Sequence, residues 1–258
     1  MMFVFVGKIM VENKISSGIK GIDEMLYGGI NLGNIIGVVG PAGSGKTLIS
    51  LQFLHSCLQK GKKCLYISAN HKKTELMKNS LIYGWDFEPF INNKLLELKC
   101  LEPVQVVLRG DEFHLTSKYL DELPIIVSKI KTDIVIIDPV TDFMLLCKNE
   151  IESRSRLFNL FQIIKENGAT AMITAESDVD SSSTKSGIIE YAVDGLFVLR
   201  RIQSADMSEI LHVIQIAKMR WTKHIREIRQ YDFSDKGIEV YSKYNVLLGD
   251  TGETKQKK

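Results

Sequence analysis

The sequence predicts an α/β fold: a mostly parallel central sheet flanked by helices and extended by antiparallel strands at its C-terminal side. Three observations carry this. Through about residue 175, short apolar runs alternate with segments of helical period. A glycine-rich loop joins the first of those runs to the first of those helices. In the last third, strand-like runs follow one another with few helices between them. Strands separated by helices make crossovers and pair in parallel, whereas strands joined directly pair antiparallel.

The elements follow in order. Ile35–Val39 is a short apolar run ending in glycine, a buried strand, and Lys46–Gln59 is the helix after it, with Leu51, Leu54 and Leu58 on one face. Lys63–Ser68 reads as a strand, Thr74–Tyr83 as a helix and Leu95–Cys100 as a strand. Ser117–Ile130 is helical in pattern, with Pro124 expected to start or kink it. Ile134–Ile137 is a fully apolar strand closed by Asp138. Ser153–Asn167 is an amphipathic helix through Leu157, Leu160, Phe161 and Ile164, stopped by Gly168. Ala169–Ala175 is a strand and Ser177–Ser186 a polar loop; Leu196–Arg200, Glu209–Met219, Glu227–Phe233 and Ile238–Tyr241 are the closing strands.

Composition bounds the organisation. The 258 residues are 45% apolar and 25% charged, values of an ordinary globular chain able to bury a full core. The expected plan is an N-terminal extension over 1–15 (an edge strand or interaction arm), one domain over 16–245, and a polar tail over 246–258. A net charge of only +2 does not suggest a strong nonspecific grip on nucleic acid. No apolar run approaches the roughly 20 residues of a membrane span, and MMFVFVGKIM has neither a basic leader nor a cleavage site. The four cysteines make no Cys-x-x-Cys pair; Cys57 and Cys64 lie in apolar runs and read as core residues, a usage that suits the reducing cytoplasm.

The segment Gly40-Pro41-Ala42-Gly43-Ser44-Gly45-Lys46-Thr47 fits G-x-x-x-x-G-K-[ST] between a buried strand and a helix. Glycines let backbone N–H groups turn inward around a phosphate, and the helix N-terminus adds partial positive charge. Lys46 is then expected at the β- and γ-phosphates of a nucleoside triphosphate, and the Thr47 hydroxyl on Mg²⁺. Asp138 ends a buried strand at the edge where open α/β sheets bind ligands, and is expected to hold Mg²⁺ through water. Asp133, at the other end of that strand, reads as a solvated cap.

Taken together, GIKGIDEMLYGGINLGNIIGVVGPAGSGKT, CLYIS, YGWDFEPF, IVIIDPVTDF and IAKMRWTKH resemble the KaiC-like group of RecA-type ATPases, from about Ile19 to Tyr241. The resemblance implies a RecA-like core that binds ATP (or ADP) between subunits of a homo-oligomer, often a hexameric ring. The family places two adjacent glutamates after the strand corresponding to CLYIS, where they orient and deprotonate the attacking water; here Asn70 and His71 hold those positions. Asn orients water without taking its proton, and neutral His can act as a base. A shifted alignment would instead bring Glu75 to that role. The resemblance further implies that Lys218 and Arg220 reach the neighbouring subunit's γ-phosphate, where a trans arginine stabilises transferring charge. His224 occupies the family's histidine position, and Trp221 stands where the family tends to have glycine, which questions the local loop shape. Glu176, closing its strand, is expected either to sense the γ-phosphate or substitute as a base, or else to be a solvated strand end. Arg154 and Arg156 read as surface residues with a lesser chance of an interface role.

Losing the glutamates slows hydrolysis more than binding, so the expected function is an ATP-dependent regulatory switch acting on a partner protein. The alternatives are a steadily active ATPase and a RadA-like DNA-binding recombination protein. The last is disfavoured, because the loops Leu145–Ser155 and Ser177–Ser186 are not net basic and carry no stacking aromatics. Autophosphorylation needs a second domain and is not carried over.

Overall fold

The computed structural model describes residues 13–101, 105–109, 112–116, 122–144, 147–177, 187–203 and 210–243, with the backbone alone for 105–109 and 112–116. The expected extension and tail therefore lie largely outside the described residues, as does most of the 177–186 loop.

The chain begins with strand β1 (Lys14–Ile15), helix α1 (Lys20–Met25), and strand β2 (Ile30–Asn31), which pairs antiparallel with β1. The core follows as β3 (Ile35–Gly40), α2 (Lys46–Gln59), β4 (Cys64–Ser68), α3 (Lys73–Ile82), α4 (Glu88–Asn92) and β5 (Leu96–Cys100). A separate hairpin pairs β6 (Gln105–Arg109) with β7 (Glu112–Thr116). Then come α5 (Glu122–Lys129), β8 (Ile134–Asp138), α6 (Thr141–Met144), α7 (Glu150–Glu166), β9 (Thr170–Glu176) and α8 (Ile188–Ala192). The last strands are β10 (Gly195–Gln203), β11 (Ile210–Met219), β12 (Arg229–Ser234) and β13 (Gly237–Val240).

Nine strands form one sheet in the order β13-β12-β11-β10-β3-β9-β8-β4-β5. From β10 to β5 all neighbours are parallel, and from β10 to β13 all are antiparallel, as the sequence predicts. The parallel strands read as unbroken apolar runs because both faces are covered, and successive side chains go to opposite cores. Ile36, Val38, Tyr66, Ile134, Ile136 and Met172 pack with α1, α2 and the closing strands. Ile35, Val39, Leu65, Ile67, Val135, Ile137 and Ile173 pack with α5, α7 and α8.

Several boundaries differ for identifiable reasons. α5 is described from Glu122, not Ser117, with Pro124 in its first turn where a missing N–H is tolerated; 117–121 lie outside the described residues. α7 begins at Glu150, not Ser153, because the Asn149 side chain accepts from Glu152 N–H at 2.9 Å and caps the helix earlier. Helix α2 is buried on more than the one leucine face read from its period, since β13 and Gly18, just before α1, lie against its outer side. There Gln52 donates to Gly18 O (3.1 Å) and accepts from Ile238 N–H (2.9 Å). Elements α1, α4, α6, α8, the β1–β2 pair and the β6–β7 hairpin are too short to show a period and were not predicted.

Candidate functional site

The loop Gly40–Thr47 leaves β3 and enters α2 at the C-terminal edge of the parallel strands. Gly43 (φ 76°) and Gly45 (φ 86°) occupy the left-handed region. At Gly45 there is also no space for a side chain: a Cβ would stand 2.8 Å from Ile238 Cδ1 and 2.9 Å from Phe233 Cε1. Lys46 folds back over the loop and its Nζ donates to the carbonyls of Gly40 and Pro41, both at 2.9 Å. The residue is only 8% exposed, and burial pushes its pKa down while Glu176 and Asp138 pull it back up. The Tyr231 hydroxyl donates to Ser44 O at 2.6 Å, bracing the loop from β12, while the buried Ser44 Oγ has no partner among the described residues. An orphaned hydroxyl, a buried ammonium and inward-turned backbone form a cradle that suits a phosphate.

Asp138 is 1% exposed, and each of its oxygens accepts one hydrogen bond. The Tyr66 hydroxyl donates to its Oδ2 at 2.8 Å, and the Thr174 hydroxyl to its Oδ1. Tyr66 Oη also lies 3.0 Å from Ser50 Oγ, and the single Ser50 hydroxyl hydrogen goes either to Tyr66 or to Thr47 O, 2.8 Å away. One network thus ties the end of β8 to the first turn of α2. Tyr66 is the residue that sequence reasoning missed: its place beside Asp138 follows from the β4–β8 pairing, which a linear reading does not supply. Thr47 and Asp138 line the same cleft and offer the hard oxygen donors that suit Mg²⁺. Asp133, at the other end of β8, accepts from Lys63 N–H at 2.9 Å, a strand cap as expected.

The cleft has a volume of about 540 Å³ and brings together Lys46, Thr47, Asn70, His71, Asp138 and Glu176. Asn70 is exposed, and His71 Nδ1 lies 4.0 Å from Glu75 Oε2. Glu75 is not in the cleft wall; its Oε2 accepts from Lys72 N–H at 3.2 Å at the start of α3. Glu176 ends β9 exposed to the cleft. A carboxylate not singled out from the sequence, Asp142, sits behind it within hydrogen-bonding reach of Asn70.

Burial, then Glu176, raises the Asp142 pKa above its usual 3.8. The folded protein therefore holds this proton more tightly than the unfolded chain, so its contribution to stability is greatest below pH 3.8 and falls as pH rises through the raised value. Asp142→Asn is expected to raise stability at neutral pH and to remove that part of the acid-side gain, read by urea midpoints between pH 4 and 7.5.

Lys218 and Arg220 do not enter this chain's own cleft. Met219 pairs with Gly195, which is level with Ile36 near the start of β3, whereas the loop lies at the end of β3. The two cations are therefore at the opposite edge of the sheet. Trp221 follows at φ 60° and is 92% exposed; it adopts the backbone a glycine takes freely, so the turn keeps that shape. His224 Nδ1 lies 3.4 Å from Thr222 O. Arg154 is exposed over the Phe158 and Tyr191 rings (5.7 and 5.9 Å), and Arg156 pairs with Glu152 at 2.7 Å.

A family model described as "ATPase: KaiC" matches residues 15–245. The chain belongs to the KaiC ATPase family. It is similar to a UPF0273 protein of Thermotoga maritima, 28% identical over 240 residues that span 88% of this chain and 96% of that one. It is also similar to the circadian clock oscillator protein KaiC of Acaryochloris marina, 26% identical over 88% of this chain and 44% of that protein, so it spans less than half the clock protein's length. Among solved structures, a KaiC-like protein from the hyperthermophilic archaeon Pyrococcus horikoshii OT3 superposes with a TM-score of 0.74 at 25% identity, covering 88% of this chain and 98% of that one. As a KaiC-family ATPase domain with this sheet order, the chain is a RecA-type nucleotide-binding protein. Among the described residues no helix is long and apolar enough to cross a membrane.

Proposed function

We propose that this KaiC-family chain binds ATP with Mg²⁺ at the boundary between subunits of a homo-oligomer, a hexameric ring by resemblance, and acts as a nucleotide-dependent switch on a partner protein. Hydrolysis is slow or lost. The observation that carries this is the cleft wall: Asn70 and His71 line it, at the positions where the resemblance expects two carboxylates. Of the carboxylates in that wall, Asp138 already accepts from Tyr66 and Thr174, which leaves Glu176. Lys46, Thr47 and the Gly40–Gly45 backbone hold the phosphates, Thr47 and Asp138 hold the metal, and Lys218 and Arg220 belong to the neighbour's site. A Mg²⁺ ion held by Thr47 and Asp138 would supply charge neutralisation to the bound phosphates. Residues 16–245 constitute the ATP-binding domain, and the four free thiols suit a cytoplasmic setting.

Glu176 favours a second reading, a steadily active ATPase, because it lines the cleft and lies close enough to Lys46 to offset part of the burial that lowers the Lys46 pKa. Single-turnover hydrolysis at assembling concentrations separates the two. On the first reading ATP stays intact while bound, and N70E together with H71E raises the rate by at least ~10²-fold, the usual worth of a positioned general base. An ordinary rate in the unaltered chain, abolished by Glu176→Gln, would overturn the switch.

A further inference from the structure

Three neighbouring strand ends bring polar groups of the cleft into a row. In the sheet order β9-β8-β4, Glu176 closes β9, Asp138 closes β8, and Asn70 lies two residues past the end of β4. Backbone bonds hold this row. Ala69 N–H donates to Asp138 O at 2.9 Å, and Val140 N–H donates to Thr174 O at 2.9 Å, tying the entry to α6 onto β9. His71 N–H donates to Ser68 Oγ at 3.1 Å. Both neighbours of Asn70 are thus held by their main chain, while Asn70 itself is exposed and lines the cleft.

Asp142 stands in the first turn of α6, between Val140 and Phe143, which are buried in the core. Its half-buried carboxylate has Asn70 within hydrogen-bonding reach and feels both Glu176 and Asp138. Stability does not explain a carboxylate here, because burial and then Glu176 disfavour its charged form. Its effect on Asn70 does. A carboxylate only accepts, whereas an amide donates from its nitrogen and accepts at its oxygen. Facing Asp142, the Asn70 amide turns Nδ2 toward α6 and leaves Oδ1 for the cleft.

We propose that Asp142 is a positioning residue for a slow hydrolysis: it holds Asn70 so that the amide oxygen faces the cleft and accepts a hydrogen bond from the water that attacks the γ-phosphate. This rests on the reading of ATP in this cleft. In the step, the water oxygen bonds to the γ-phosphorus while the bond from that phosphorus to the β,γ-bridging oxygen breaks. The bridging electron pair leaves with ADP, and one water proton passes to a γ-phosphate oxygen, so no side chain takes it. Phosphoryl transfer admits such a route, since its catalysis is mostly placement and charge stabilisation. An amide places the water without activating it, which makes turnover slow and not absent.

The test is single-turnover hydrolysis of Mg·ATP by the full chain at assembling concentrations, with calorimetric Mg·ATP affinity and a urea midpoint for each variant. Asp142→Ala is expected to slow hydrolysis about tenfold, the worth of one hydrogen bond, at unchanged affinity and without loss of stability. Asp142→Asn keeps an acceptor for Nδ2 and is expected to retain most of the rate, which it would not if the carboxylate were a base. Asn70→Ala is expected to slow hydrolysis at least as much, and in its background Asp142→Ala changes the rate no further. An unchanged rate in Asn70→Ala or Asp142→Ala, a further loss in the double variant, or a loss in Asp142→Asn as large as in Asp142→Ala overturns the assignment. So does a loss of folding or stability that runs with the loss of rate, the mark of a structural role. Bound ATP that stays wholly intact in the unaltered chain overturns it while the binding reading stands, and failure to bind Mg·ATP overturns both.

Discussion

Lys46→Ala is expected to lower ATP affinity by at least ~10²-fold while the chain stays folded. The ammonium is buried and already aimed across the loop, so its donors pass from the Gly40 and Pro41 carbonyls to phosphate oxygens without the side chain being rebuilt. Two charge-assisted bonds at about 1.5–3 kcal/mol each correspond to roughly 10²–10⁴ in affinity. Folding responds little, because burial disfavours this cation and the two carbonyls it leaves keep backbone donors, Ser177 N–H on Gly40 O and Ser44 N–H on Pro41 O, both at 3.2 Å. Calorimetric titration with Mg·ATP beside a melt tests both halves; an affinity within a few-fold of the unaltered chain would mean that the loop does not hold the phosphates.

Asp138→Ala is expected to produce the largest loss of stability among the site residues, about 2–4 kcal/mol by urea unfolding. Tyr66 and Thr174 are both buried and both donate to this carboxylate. Removing the acceptor strands two buried hydroxyls at about 1–3 kcal/mol each, moderated because Tyr66 keeps its contact with Ser50. Asp138→Asn retains an acceptor for one hydroxyl and is expected to lose less stability yet still weaken Mg²⁺ dependence. If Asp138→Ala unfolds within 0.5 kcal/mol of the unaltered chain, the Tyr66–Asp138–Thr174 network is not holding β4, β8 and β9 together.

The parts of this site that a linear reading recovers are those whose physics is local. Gly43 and Gly45 announce a backbone that only glycine takes freely, Lys46 and Thr47 follow at fixed offsets, and Asp138 is marked by the four apolar residues before it. The doubly buried strands are legible because continuous apolar runs have few other uses. What stays hidden depends on partners distant in sequence. Tyr66 looks like one more apolar residue of CLYIS until β8 is laid beside β4. Asp194 looks like a turn residue, and only the β10–β3 pairing puts it under Ile35. The resemblance groups Lys218 with Arg220, but the carbonyls of Glu190, Tyr191 and Val193 that hold Lys218 lie 25 to 28 positions earlier in the chain.

The bond from Tyr231 to Ser44 spans 187 positions of sequence. During synthesis, the glycine-rich turn and its helix emerge well before β12, which carries the residue that braces their main chain. Phe233 and Ile238, which crowd Gly45, arrive with it. The preceding portion therefore has the whole binding motif before it has the shape that motif needs, and competence for ligand waits on β12 and β13. A chain cut short before β12 keeps every residue of the Gly40–Thr47 signature and lacks the clamp that sets it.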